Sequence, residues 1–197
     1  MKKALLIFFA MVIAFIGVEL ILRPAAQAGT AKVGCRPQNL TVRTGQTFYI
    51  SLVVTDTLDL YAFQFDTTFN NQYLEYVTLL PGAHLRSDGA KDFVVAPQLK
   101  IGTTTSEALN AAATRLSQDV GVNGSGALAH ILFRAVKQKT DGLTIDLNDI
   151  LLVDRNALEI EKDYVNNADC KVIIRNDAPV LIQPPVGELI FLPTVVR

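Results

Sequence analysis

The residues able to do chemistry in this 197-residue chain are few: His84 and His130, Cys35 and Cys170, and a run of carboxylates from Asp149 to Asp163. Zinc sites draw on several Cys and His at ligand spacing, and two distant residues of each type do not supply one. His84 stands beside Pro81-Gly82, so it is expected in a solvated loop. His130 falls on the polar side of an alternating strand pattern, so it is expected as a surface cross-strand residue. Among the acids, Asp149, Asp154, Glu159, Glu161 and Asp163 lie around a predicted hairpin. A glycosidase would need two of them about 5 to 10 Å apart in a cleft, and a solvated edge is the simpler expectation. Asp154 and Asn156 carry oxygens of the kind calcium takes, but an Asp-Arg-Asn turn accounts for them. There is no Gly-x-Ser-x-Gly elbow, phosphate loop or EF-hand pattern. The expectation is a non-enzyme with no cofactor or metal of its own.

The two ends set the compartment. Lys2 and Lys3 precede an apolar run from Ala4 to Leu22, broken only by Glu19, and Ala26-Gln27-Ala28 follows. That pattern reads as a signal peptide over residues 1–28 with cleavage after Ala28. The alternative is an uncleaved anchor, since a run of about 19 apolar residues just spans a bilayer. Either way the domain is expected outside the cytoplasm, secreted or at the cell surface. In an oxidising compartment Cys35 and Cys170 are expected to form one disulfide, the alternative being two free thiols. Without Lys2, Lys3, Arg23 and Glu19 the chain keeps 15 basic and 18 acidic residues. With no basic run, a nucleic-acid or anionic-membrane partner is not expected.

The middle of the chain alternates with a period of two. In Gln46–Thr55, Phe48, Ile50, Leu52 and Val54 share one side. In Leu60–Phe69, Tyr61, Phe63, Phe65, Thr67 and Phe69 do the same. Tyr73–Leu80, Ala127–Val136, Leu143–Val153 and Ala168–Ile174 supply further strands. Turn signals such as Thr44-Gly45, Pro81-Gly82, Asp88-Gly89, Asn123-Gly124 and Asp141-Gly142 separate them. Only Ser106–Leu116, with its Ala111-Ala112-Ala113 run, has helix-like composition. It is expected as a short helix or loop leading into a strand. Many short strands with regular turns predict an all-β sandwich or jelly roll. The domain is placed at residues 29–175. Residues 176–197, with Pro179, Pro184 and Pro185, are expected to form a linker and a short apolar C-terminal tail.

The order of motifs resembles a family. Asn39-Leu-Thr-Val-Arg-Thr-Gly-Gln-Thr-Phe-Tyr-Ile-Ser-Leu-Val-Val is similar to the opening strands of cohesin domains. Leu60-Tyr-Ala-Phe-Gln-Phe-Asp-Thr-Thr-Phe resembles their third strand. Gly124-Ser-Gly-Ala-Leu-Ala-His-Ile-Leu-Phe-Arg-Ala resembles a later Gly-x-Gly-x-Leu-Ala-x-Ile-x-Phe strand, and Asn148–Ala157 the strand and hairpin after it. Phe69-Asn70-Asn71 stands where the family commonly has Tyr-Asp-Pro, and Gly89–Val122 matches poorly. The resemblance implies a jelly-roll β-sandwich of about nine strands that docks a dockerin, a small helical module carrying the calcium, across one sheet face. It also implies kinship with carbohydrate-binding modules and a setting in extracellular polysaccharide degradation.

Outward positions for a partner face are Gln64, Asp66 and Thr68, with Leu128, His130, Leu132 and Arg134. Leu128 and Leu132 are apolar on the side opposite Ile131 and Phe133, which fits either a docking face or a strand covered on both sides. A polysaccharide is the alternative partner. Trp is absent and Phe63, Phe65 and Phe69 fit the core, which leaves Tyr49, Tyr73, Tyr76 and Tyr164 for it. A structural surface domain that associates through its apolar tail is the third reading.

Overall fold

The computed structural model describes residues 30–116 and 120–183. The expected signal segment 1–28 and the end of the C-terminal tail lie outside the described residues. Eleven strands follow in chain order: β1 (Ala31–Arg36), β2 (Asn39–Arg43), β3 (Thr47–Asn70), β4 (Leu74–Pro81), β5 (Lys91–Val95), β6 (Gln98–Ile101), β7 (Thr105–Leu116), β8 (Val122–Ala135), β9 (Lys139–Asp154), β10 (Lys162–Tyr164) and β11 (Cys170–Arg175). Among the described residues only single 3-10 turns, His84–Arg86 and Asn166–Ala168, interrupt them. The all-β jelly-roll expectation holds, with short edge strands added to the expected nine.

The long strand β3 builds both layers. Its first half pairs with β8 and β1. Its second half pairs with β7 and β9. Between the halves the ladder shifts twice, and Asp56 and Asp59 take left-handed φ values of 59° and 55°, a region aspartate tolerates better than most residues. The sequence reads as two strands here because polar Asp56 and Asp59 interrupt the alternation. The first layer is β4-β8-β3-β1-β10, and the second is β5/β6-β7-β3-β9-β11-β2.

The core lies between the layers, filled by the side of each strand that the period of two assigns inward. Phe48, Ile50, Leu52 and Val54 meet Phe63, Phe65 and Phe69 from the other half of the same strand. Phe133 of β8 is the hub, with the Phe69 ring edge-on at 5.1 Å and Phe48 and Tyr76 rings at 6.1 and 6.2 Å. Edge-on pairs of this kind are favourable beyond their buried area. Cys35 on β1 and Cys170 on β11 form the expected disulfide, with 5.5 Å between their Cα atoms, joining strands that belong to different layers.

Ser106–Leu116 is not a helix. It lies within β7, and Ala111 and Ala113 point inward opposite Phe65 and Phe63 of β3. Alanine favours helices in isolation, but burial beside large cross-strand neighbours decides the outcome here.

Both histidines also depart from expectation. His84 is 4% exposed, and His130 is 2% exposed. His84 lies in the first 3-10 turn, against Gly126, with no room for a side chain there. Thr57 Oγ1 donates to Gly124 O at 2.9 Å and therefore accepts from His84 Nε2 at 3.0 Å. His130 shares a 2.7 Å hydrogen bond with Ser51 through Nδ1. Burial pushes both imidazoles down to about 4, helped at His84 by the nearby Arg115 charge. The chain thus buries its histidines as neutral groups.

Candidate partner-docking face

The seven residues expected on one partner face do not come together. Gln64, Asp66 and Thr68 lie in the second half of β3, in the β7-β3-β9 layer. Leu128, His130, Leu132 and Arg134 lie on β8, in the other layer. Leu128 is 2% exposed and belongs to the core. The ladder shifts between Leu52, opposite Ala129, and Val53, opposite Ala127. Leu128 is the extra residue of that bulge, and a bulge resets which side the chain presents. Leu132 is half-buried, and Arg134 is exposed and paired with Glu75 of β4. The β8 side of the expected face is therefore largely closed.

The face around Gln64 is open. Cross-strand partners point to the same side of a sheet, so the register writes out its rows. One row runs Phe93, Thr114, Ala62, Val153 across β5, β7, β3 and β9. The next runs Val95, Ala112, Gln64, Leu151. Phe93 is 57% exposed, and Val95 and Leu151 are also exposed. A shallow depression of about 220 Å³ lies among these residues. Two adjacent apolar rows open to solvent are the kind of patch that marks an interaction site.

Polar groups border the patch. Both neighbouring strands carry an extra residue beside Asp66, Asn110 in β7 opposite Asp66 itself and Asp149 in β9 between the partners of Gln64 and Asp66, with φ values of 59° and 48°. Asp66 accepts the Asn110 backbone N–H at 2.7 Å, and Gln64 donates its amide to Asn110 at 3.3 Å. These bulges separate the apolar rows from an ionic row of Lys100, Glu107, Thr68 and Asp146. Lys100 and Glu107 form a 3.1 Å ion pair. Asp146 lies beside Asp169, because the register sets Cys170 against Ile145 in an antiparallel pair. Partial burial pushes both carboxyls up, with Asp146 repulsion adding to the rise at Asp169.

The β9 hairpin carries no ion-binding cluster. Asp154 Oδ1 accepts the backbone N–H groups of Asn156 and Leu158 at 2.8 and 2.9 Å, which is a closed turn. Among the described residues no group of three or more His, Cys, Asp or Glu is placed to hold a metal ion. The tyrosines do not form one platform for a sugar. Tyr49 is buried against His130, Tyr73 and Tyr76 are half-buried, and Tyr164 is exposed on β10. The alternation-based reading missed Phe93 and Val95. The five-residue β5 carries only the weak pattern Lys-Asp-Phe-Val-Val, too short to separate from a loop.

Fold and face define a jelly-roll sandwich with an open apolar sheet surface. No protein-family model and no curated protein matches the chain. Solved structures do. A non-cellulosomal cohesin from the archaeon Archaeoglobus fulgidus is 13% identical with a TM-score of 0.51, covering 74% of this chain and 90% of its own. A type I cohesin–dockerin complex from Clostridium thermocellum gives 13% identity and a TM-score of 0.54, with coverage of 77% and 98%. The sixth cohesin of scaffoldin B from Acetivibrio cellulolyticus, in complex with a dockerin, gives 10% and 0.55, with coverage of 75% and 100%. This chain has the cohesin fold.

Proposed function

We propose that this chain is an exported, non-catalytic docking module that binds a dockerin-type protein across the outward face of β5, β7, β3 and β9. The observation that carries the proposal is the pair of largely apolar rows on that face, in which Phe93, Val95 and Leu151 are exposed and Val153 is half-buried. A flat sheet face of this kind suits a folded protein surface more than a small substrate, which needs a concave pocket. Two of the three similar structures named above are complexes with dockerins. The Cys35–Cys170 disulfide supports an oxidising compartment. Calorimetric titration with dockerins tests the proposal.

A further inference from the structure

The strand β5 has little packing to hold it. It is an edge strand, and among the described strands it pairs only with β7. Its outward residues Lys91, Phe93 and Val95 are exposed. Of its inward residues, Asp92 is polar, and only Val94 packs against the core. One half-buried valine is a weak anchor, and segments with few buried contacts open most easily. Yet Phe93 and Val95 stand on this strand.

A buried charge supplies a second anchor. Arg115 of β7 is 1% exposed and stands opposite Asp92 in the ladder. Its Nη1 donates to Leu85 O at 2.5 Å and to Asp88 Oδ1 at 3.2 Å, and its Nη2 donates to Asp88 Oδ2 at 2.6 Å. Leu85 belongs to the core, so that end of the β4–β5 loop is fixed. From Arg86 to Gly89 the loop is exposed. Asp88 Oδ1 also accepts the Ala90 N–H at 3.2 Å, and Ala90 directly precedes β5. Gly89 makes the turn between them at a φ of 85°, a region that favours glycine. A line of bonds thus runs from a core carbonyl through Arg115 and Asp88 to the start of β5. Arg86 adds an ion pair to Asp92 at 3.6 Å.

Core packing alone does not call for this arginine. Its Nε is buried with no hydrogen-bond partner among the described residues, and a buried guanidinium is unfavourable unless fully paired. An apolar side chain of similar size would fill the space without that penalty. What the guanidinium fork adds is direction, because two parallel bonds fix the position of the carboxylate as well as its charge.

We propose that Arg115 is the positioning residue of the docking face: its clasp on Leu85 and Asp88 sets where β5 joins the sheet, and so where Phe93 and Val95 stand. The proposal rests on docking across the β5-β7-β3-β9 face. A strand fixed beforehand avoids the ordering cost that a loose one adds to binding.

The test compares the full-length parent with Arg115→Met, which fills the site without the fork. Amide exchange over Lys91–Val95 should accelerate about tenfold or more while Ile131 on β8 stays protected. A dockerin that binds the parent should bind the folded variant about tenfold more weakly. A residue with a purely structural role would lower the melting temperature and move neither reading. Unchanged β5 exchange overturns the proposal, and so does dockerin binding by the folded variant equal to that of the parent. A parent that binds no dockerin sinks the docking reading, and β5 exchange then decides the clasp by itself. Should Arg115→Met fail to fold, Asp88→Ala decides by the same readings. Asp88 is half-exposed, and its loss removes the bonds to both Arg115 and Ala90.

Discussion

Gln64 of β3 and Leu151 of β9 are cross-strand partners on the outward face, and Val95 and Ala112 complete their row. A hydrogen-bonding amide is thus set among apolar neighbours open to solvent. Such a site combines area for burial with a group that fixes orientation, since an amide left unpaired on burial is penalised. Gln64 already reaches Asn110 at 3.3 Å, so its amide keeps a partner when the apolar row is covered.

The disulfide between Cys35 and Cys170 closes a loop spanning 135 residues. In the chain-entropy account a loop of that length contributes roughly 5 kcal/mol. The Cys35→Ser, Cys170→Ser double variant should unfold at much lower urea than the oxidised parent. An unchanged midpoint would show that the link constrains neither state.

Buried neutral histidines should make the domain acid-sensitive. The folded state holds His84 and His130 near 4, below the ordinary 6.5. The unfolded chain therefore binds more protons between those values, and stability falls as pH drops from about 6.5 to about 4. Each group contributes on the order of 3 kcal/mol across that window. Thermal melts of His130→Gln should show a shallower loss over that window than the parent, beside a lower stability at pH 7 from altered packing. Parallel pH profiles would contradict this role.

Asp146 and Asp169 act in the opposite sense. Their folded values are raised, so the folded state holds protons longer, and stability falls as pH rises through the raised range. Like charges on neighbouring strands are unfavourable by up to about 1 kcal/mol. Asp146→Asn should raise the melting temperature at pH 7 and lose that advantage near pH 3, where both carboxyls are protonated. A lower melting temperature at pH 7 would show that the pair supports the fold.

Much of the fold was legible because the pleat gives every strand a period of two. Phe48 to Val54 and Phe63 to Phe69 are inward as the alternation requires. What escaped the pattern has physical causes. The bulge at Leu128 turned an expected surface leucine into core. His130 keeps its outward register but is buried against Tyr49, with Ser51 supplying its hydrogen bond. The alanines of β7 hid a strand behind helical propensity. Because β3 crosses between layers at Asp56–Leu60, Gln64 and Arg134 sit on different sheets despite similar alternation. The stretch least similar to the family motifs, Gly89–Val122, contains β5, β6 and β7 and so builds one side of the open face.

The most direct measurement is calorimetric titration of the parent and of Leu151→Asp with a panel of calcium-loaded dockerins. Leu151 is exposed, so the substitution should leave the melting temperature nearly unchanged. At least one dockerin should bind the parent, and Leu151→Asp should weaken that binding by about a hundredfold, the scale of a central interface residue. Binding of no dockerin to the parent, or equal binding to the folded variant, would contradict docking across the β5-β7-β3-β9 face.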